Sequence, residues 1–144
     1  MIKIICVGKI KESYIKEGIL DYQKRISKYH KIEIIEVMDS NIEEEKGRIL
    51  KYIDKKDYLI TLDIEGNNLS SLELASKIDK TFITNPNITF IIGGSNGIHK
   101  DIKNLSNYSL SFSKLTFPHQ LFRLILLEQI YRCFKILNNE TYHK

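Results

Sequence analysis

Tyr142-His143-Lys144 sets a phenol, an imidazole and an ammonium side by side at the chain end. Imidazole is the side chain that trades a proton near neutral pH, although a frayed tail is the usual fate of terminal residues. Two loops offer a different chemistry. Phe90-Ile91-Ile92 runs into Gly93-Gly94-Ser95-Asn96-Gly97, and Leu110-Ser111 runs into Phe112-Ser113-Lys114-Leu115-Thr116-Phe117. Glycines let a backbone approach a ligand closely or take positive φ. The second loop adds backbone donors and acceptors, a lysine and two aromatic faces. Taken singly, the first reads as a tight turn and the second as a strand-to-helix loop. Placed at neighbouring strand ends, the two would make a pocket for a nucleotide-like ligand.

Several chemistries lack their residues. The glycine loop has no GxGxxG spacing and no following Gly-Lys-Ser/Thr, so it is neither a dinucleotide fingerprint nor a phosphate loop. No Gly-x-Ser-x-Gly elbow supports a hydrolase. His99, His119 and His143, with Cys6 and Cys133, show no zinc-ligand spacing, and no metal site is expected. Both cysteines lie in apolar stretches and read as buried free thiols, which fits a reducing cytoplasm. No apolar run reaches membrane-spanning length, and the N-terminus reads as a strand, too short and wrongly flanked for a signal peptide.

The elements that must position these groups alternate along the chain. Strands are expected at Ile2–Val7, Lys31–Met38, Asp57–Ile64, Ile88–Ile92 and Tyr108–Ser113. Helices are expected from about Ser13 to Tyr29, from an Asn41 cap to about Ile53, from a Ser70 or Ser71 cap, near His99–Leu105, and at Pro118–Leu137, with Gly66-Asn67-Asn68 as a turn. With 144 residues, 42% hydrophobic and 28% charged, this is one domain spanning 1–144 with a real core. Its alternation predicts an α/β fold, a parallel five-stranded sheet flanked by helices. Ligands in such sheets bind at the carboxyl ends of strands, where both loops lie.

The last helix has almost no polar side, from Leu121 to Leu137. That makes it either a core helix or a homodimer interface, with the dimer favoured. Arg123 falls on its apolar stripe, where a guanidinium either snorkels to the surface or faces an anionic ligand. The net charge of +4 is uneven: residues 1–31 carry a surplus of +5, residues 32–99 of −5 and residues 100–144 of +4. If the two ends meet, they form a basic face suited to a polyanion such as RNA; the competing reading is ordinary solvated helix faces.

The stretches around Gly93–Gly97, Leu110–Leu121, Glu128-Gln129-Ile130-Tyr131-Arg132 and Tyr142-His143-Lys144, with Val7-Gly8-Lys9 and Tyr22-Gln23-Lys24-Arg25 near the start, resemble the ribosomal RNA large-subunit methyltransferase H family. The resemblance covers nearly the whole chain. It implies a SPOUT fold with a C-terminal trefoil knot, which strand periodicity does not show. It implies a homodimer that binds S-adenosylmethionine in the knot and methylates N3 of a pseudouridine in 23S rRNA on the assembled ribosome. The implied cofactor positions are Leu62, Gly93, Phe112, Ser113, Lys114, Leu115, Thr116 and Phe117.

The candidate catalytic residues are His143, Arg123, Tyr142 and His119. His143, delivered by the partner protomer's tail, is the candidate base or orients it, and His119 is the other candidate. Arg123 is assigned to phosphate or the developing uracil anion, and Tyr142 to stacking on or hydrogen-bonding the target base. Two departures from the family stand out. Ser40–Gly47 looks short, which puts any RNA contact of that segment in doubt. Thr141 replaces a proline or small residue and leaves the tail less stiff. The competing functions are a SPOUT methyltransferase of another RNA such as tRNA, and a non-catalytic nucleotide- or ribosome-binding module.

Overall fold

A computed structural model describes residues 1–144. Five parallel strands form one sheet in the order β2-β1-β4-β3-β5. They are β1 (Ile2–Val7), β2 (Ile32–Val37), β3 (Asp57–Asn68), β4 (Asn87–Ile92) and β5 (Tyr108–Ser111), and between and after them come α1 (Ser13–Ser27), α2 (Ile42–Leu50), α3 (Ser71–Thr84), α4 (Lys100–Leu105) and α5 (His119–Leu137). The expected α/β architecture is the one observed.

Alternation divides the core. Ile2, Ile4 and Cys6 of β1, with Phe90 and Ile92 of β4, face a large cluster that includes residues of α1, α3 and α5. Ile5, Val7, Val37, Leu59 and Ile91 face a smaller cluster closed by Ile49 of α2 and Ile102 of α4. A period of two puts successive residues on opposite faces, so strands covered on both sides read as unbroken apolar runs. One ion pair is buried among them. Lys3 pairs with Asp57 at 2.7 Å and donates to the Tyr52 carbonyl at 2.7 Å, which satisfies both ions out of water.

The helix starts follow local chemistry. Asn41 accepts from the Glu44 amide, and Ser70 and Glu73 form a reciprocal capping box. α2 ends at Leu50, before the expected Ile53, and β5 ends at Ser111. A larger difference concerns Gly66-Asn67-Asn68, expected as a turn. Asn67 and Asn68 instead pair with Leu110 and Ser111, after a register shift that starts at Leu62. The chain makes a short excursion and rejoins the same neighbour. Gly66 sits so close to β5 that a Cβ would lie 2.8 Å from the Ser109 carbonyl carbon; the glycine serves strand contact rather than a turn.

α5 packs against both α1 and α3, so the order on this face is α1, α5, α3. The segment 112–118 carries the chain from edge strand β5 back to that central slot. Leu126, Leu127, Ile130, Cys133 and Phe134 are buried inside the single chain. One side of α5 is therefore core, while Leu121, Phe122, Leu124, Ile125, Ile136 and Leu137 remain half-buried in the single chain.

Candidate functional site

At the carboxyl ends of β3, β4 and β5 lies a cleft of about 220 Å³. Its walls come from the β3 excursion, the glycine loop, the 111–117 loop and the start of α5. Seven of the eight implied cofactor positions line it: Leu62, Gly93, Phe112, Ser113, Leu115, Thr116 and Phe117. Lys114 does not; it stands exposed on the outside of the loop.

Backbone builds much of this cleft. A Cβ on Gly93 would lie 2.6 Å from the Gly97 carbonyl oxygen, so only glycine fits. Gly97 has φ +72° and closes a turn by donating its amide to Gly94 at 3.0 Å. In the second loop the Ser111 hydroxyl donates to the Ser113 carbonyl at 3.1 Å, and the Ser113 hydroxyl accepts from the Leu115 amide at 3.0 Å. Phe122 packs edge-on against Phe112 with ring centres 5.0 Å apart. Apolar walls with exposed peptide edges suit a flat heteroaromatic ring attached to a polar tail.

Sequence reasoning missed Ile98, Lys103 and Phe122 in the lining. Lys103 is ion-paired with Asp63 of the excursion at 3.1 Å. Nothing in the local sequence announces such a pair, because the two residues meet only once β3 has looped out. The short segment 40–47 also has a role. The Asn96 amide donates to the Ser40 carbonyl at 3.0 Å, and His99 meets Glu43 at 2.8 Å. His99 Nδ1 accepts from the Asp101 amide, so its proton is on Nε2 and donates to Glu43. Hydrogen bonds from His99 and then Lys46 hold the Glu43 carboxyl below the usual carboxylate range. The segment braces the glycine loop from behind.

The four candidate catalytic residues separate. His119 is exposed at the start of α5 and lines the cleft. Arg123 does not face a ligand. It is 1% exposed, paired with Glu36 at 2.6 Å and donating to the Gly8 carbonyl at 3.1 Å. This corrects its assignment to phosphate or the uracil anion: the guanidinium is an internal strut joining α5 to the ends of β1 and β2. Glu36 also accepts from the Ile10 amide, and Gln120 accepts from the Lys11 amide, so the β1–α1 loop is tied to the start of α5.

Tyr142 and His143 lie against the middle of α5. The Tyr142 hydroxyl donates to Glu128 at 3.1 Å, its ring meets Tyr131 edge-on, and Arg132 stacks over it at 4.9 Å. Burial, then Tyr22 and Glu128, push the Tyr142 phenol well up, so it stays protonated and acts as a donor. Arg132 is clamped by Glu128 and lies 3.1 Å from His143 Nδ1. Arginine has no acceptor, so Nδ1 holds the lone pair and the exposed Nε2 holds the proton. His143 in this pose presents an N–H donor; to take a proton it must first leave Arg132. Glu128 is nine residues beyond His119, about 14 Å along the helix. No residue from Thr141 to Lys144 lines the cleft of its own chain.

The family described as "Predicted SPOUT methyltransferase" matches residues 1–143. The chain belongs to the SPOUT methyltransferase family. It is 51% identical, over 157 aligned positions and 99% of both chains, to the ribosomal RNA large subunit methyltransferase H of Acetivibrio thermocellus. It is equally similar, over the same span, to the putative enzyme of that name from Methanococcus maripaludis. An alignment of 157 positions against 144 residues means that the relatives carry residues this chain lacks, in keeping with a shortened segment. Among solved structures, a probable methylase family protein from Haemophilus influenzae superimposes with a TM-score of 0.61 at 13% identity, covering 99% of this chain and 70% of that one. The SpoU methyltransferase AviRb from Streptomyces viridochromogenes, in complex with AdoMet, gives 0.52 at 11% identity, with 90% and 56% covered. These likenesses establish a SPOUT-type fold for this family member. No group of three or more metal-ligating side chains converges in it, and no helix is long and apolar enough to cross a membrane.

Proposed function

We propose that this SPOUT methyltransferase transfers a methyl group from S-adenosylmethionine to N3 of a pseudouridine in 23S rRNA, acting on the assembled ribosome as a homodimer. Large-subunit rRNA is the substrate named for the relatives it matches at 51% identity over nearly its whole length. The observation that carries the reading is the cleft, where seven positions implied for the cofactor converge on a glycine cradle with no room for a side chain.

S-adenosylmethionine would supply a methyl group already activated on a sulfonium. The protein's work is then alignment and proton management. Leu62, Phe112, Phe117 and Phe122 offer apolar walls to the adenosine, and peptide groups of the two loops offer its edges hydrogen bonds. N3 attacks the methyl carbon, the carbon–sulfur bond breaks towards sulfur, and the N3 proton must leave. His119 is at the cleft already. His143, with Nε2–H exposed, can donate to a uracil carbonyl and steady the anion, or accept the N3 proton after release from Arg132.

The dimer reading rests on separation. The partners of Tyr142 and His143, Glu128 and Arg132, lie roughly 14 and 20 Å along α5 from its start at the cleft, so a second copy must bring a tail to it. Tyr14 and Leu115 are 66% and 70% exposed, and the Lys11–Gln120 bond holds the start of α1 beside the start of α5. These give a second protomer apolar surface near the cleft.

The test is methyl transfer from labelled S-adenosylmethionine to ribosomes lacking the modification, comparing joined ribosomes, free large subunits and bulk tRNA. Label in 23S rRNA at a pseudouridine, strongest on joined ribosomes, is the expected result. Label in tRNA alone, or cofactor binding without transfer, would overturn it.

A further inference from the structure

A second groove lies at the opposite end of the sheet, where the starts of β3 and β5 meet the C-terminal half of α3. Tyr58, Tyr108, Lys77 and Lys80 line it. The Lys77 ammonium sits 3.8 Å from the centre of the Tyr108 ring and 5.3 Å from that of Tyr58. Lys77 is half-buried, and no carboxylate pairs with it.

Among the four lysines that are not exposed, Lys3, Lys46, Lys77 and Lys135, only Lys77 lacks an acid. Lys3, Lys46 and Lys103 each hold a carboxylate at 2.7–3.1 Å. Lys135, the other lysine lying over tyrosine rings, is paired with Glu140 at 2.9 Å. The one acid in the groove, Glu73, is committed to the Ser70 amide in the capping box of α3. Neither Tyr58 nor Tyr108 spends its hydroxyl on another protein group.

A cation held over a ring keeps its N–H donors free. The two tyrosines also hold the lysine stem in place, so part of the entropy cost of ordering it for a ligand is already met. Lys80, three residues on, shares that face of α3 and doubles the charge. Leu69 is the only aliphatic side chain in the lining, and Lys77 lies over both tyrosine rings, so the groove offers charge and hydroxyls more than apolar area. Two cations and two free phenols suit the oxygens of successive phosphates on one strand.

We propose that this groove is a second RNA-backbone site, which grips a strand of large-subunit rRNA away from the methylated base. The inference rests on the rRNA reading above and adds a contact to it. Tyr58 lies four residues before Leu62 on β3, about 13 Å from the cleft along the strand. The groove therefore contributes affinity and register, not chemistry.

The test uses full-length protein and unmodified ribosomes, with Lys77→Ala/Lys80→Ala beside wild type. The double variant should keep its melting temperature, its affinity for S-adenosylmethionine and its turnover at saturating ribosomes. Its KM for ribosomes should rise about tenfold, and the slope of log affinity against log salt should become shallower by about 1.5. Lys77→Arg/Lys80→Arg should restore both. A photo-crosslinker at Ser76 should label rRNA. An unchanged KM and salt slope, or crosslinks only to a ribosomal protein, would overturn the inference while wild-type methylation left the parent reading intact. Wild type that methylates no ribosome would overturn both.

Discussion

The cleft is built largely from backbone, whereas residues 141–144, which carry Tyr142 and His143, are held by side chains. Gly93 and Gly97 shape the cleft through a close peptide approach and a positive φ, and the loop is braced from behind by Asn96 and His99. Two carboxylates hold the final segment: Glu128 accepts from both Arg132 and Tyr142, and Glu140 accepts from Tyr29 and Lys135. A backbone cradle is ready before any ligand arrives and does not depend on pH. A side-chain clasp can open, and it holds its proton-bearing groups roughly 14–20 Å from where they would act. The contrast separates binding the donor from completing the reaction.

Gly93→Ala is the hardest test of the cleft. The added methyl cannot coexist with the Gly97 carbonyl, so S-adenosylmethionine binding by calorimetry should fall at least about a hundredfold, and activity with it. His143→Ala should strike the other half. Turnover should drop about a hundredfold while donor affinity stays within about twofold; unchanged turnover would remove His143 from the chemistry. Mixing the two inactive proteins and allowing protomers to exchange then decides whether the halves belong to different copies. Random two-fold assembly gives mixed dimers with one intact site, and about a quarter of wild-type activity should return. No recovery would place the tail in its own cleft.

Smaller effects sharpen the clasp. Tyr142→Phe removes one hydrogen bond to Glu128, worth about 1 kcal/mol, and should cost a few-fold in turnover. Because the folded Tyr142 phenol lies above its ordinary value, its contribution is complete below about pH 10 and is lost as pH rises through the folded value. Amide exchange in residues 138–144 should accelerate there, while exchange in the glycine loop should not change for this reason. Least of all, Cys6 and Cys133, both pushed up to about 12 by burial, should resist alkylation in the native protein at pH 8.

The difference also explains what could be read in advance. The cleft was legible because strand-end loops, glycines and a Pro-His helix start are local signals, and parallel topology brings strand ends together. The continuation of β3 through Asn67 and Asn68 was not, since Gly66-Asn67-Asn68 has turn composition and only the neighbouring β5 makes it a strand. Arg123 was misjudged for a related reason. An arginine on an apolar stripe announces a need for a partner, but Glu36 lies 87 residues away and on another element. The all-apolar α5 reads from sequence as a core helix or an interface, with the interface favoured, and the α1–α5–α3 order on that face makes one side of it core.

That order has a cost during synthesis. α1 and α3 must flank a slot whose occupant is finished only at Leu137, about fifty residues after α3 ends at Thr84. At about 5–20 residues per second, the ribosome leaves that apolar slot unfilled for roughly 3–10 s. The nascent chain would depend on chaperones over that interval, and a product truncated before residue 119 would aggregate rather than fold.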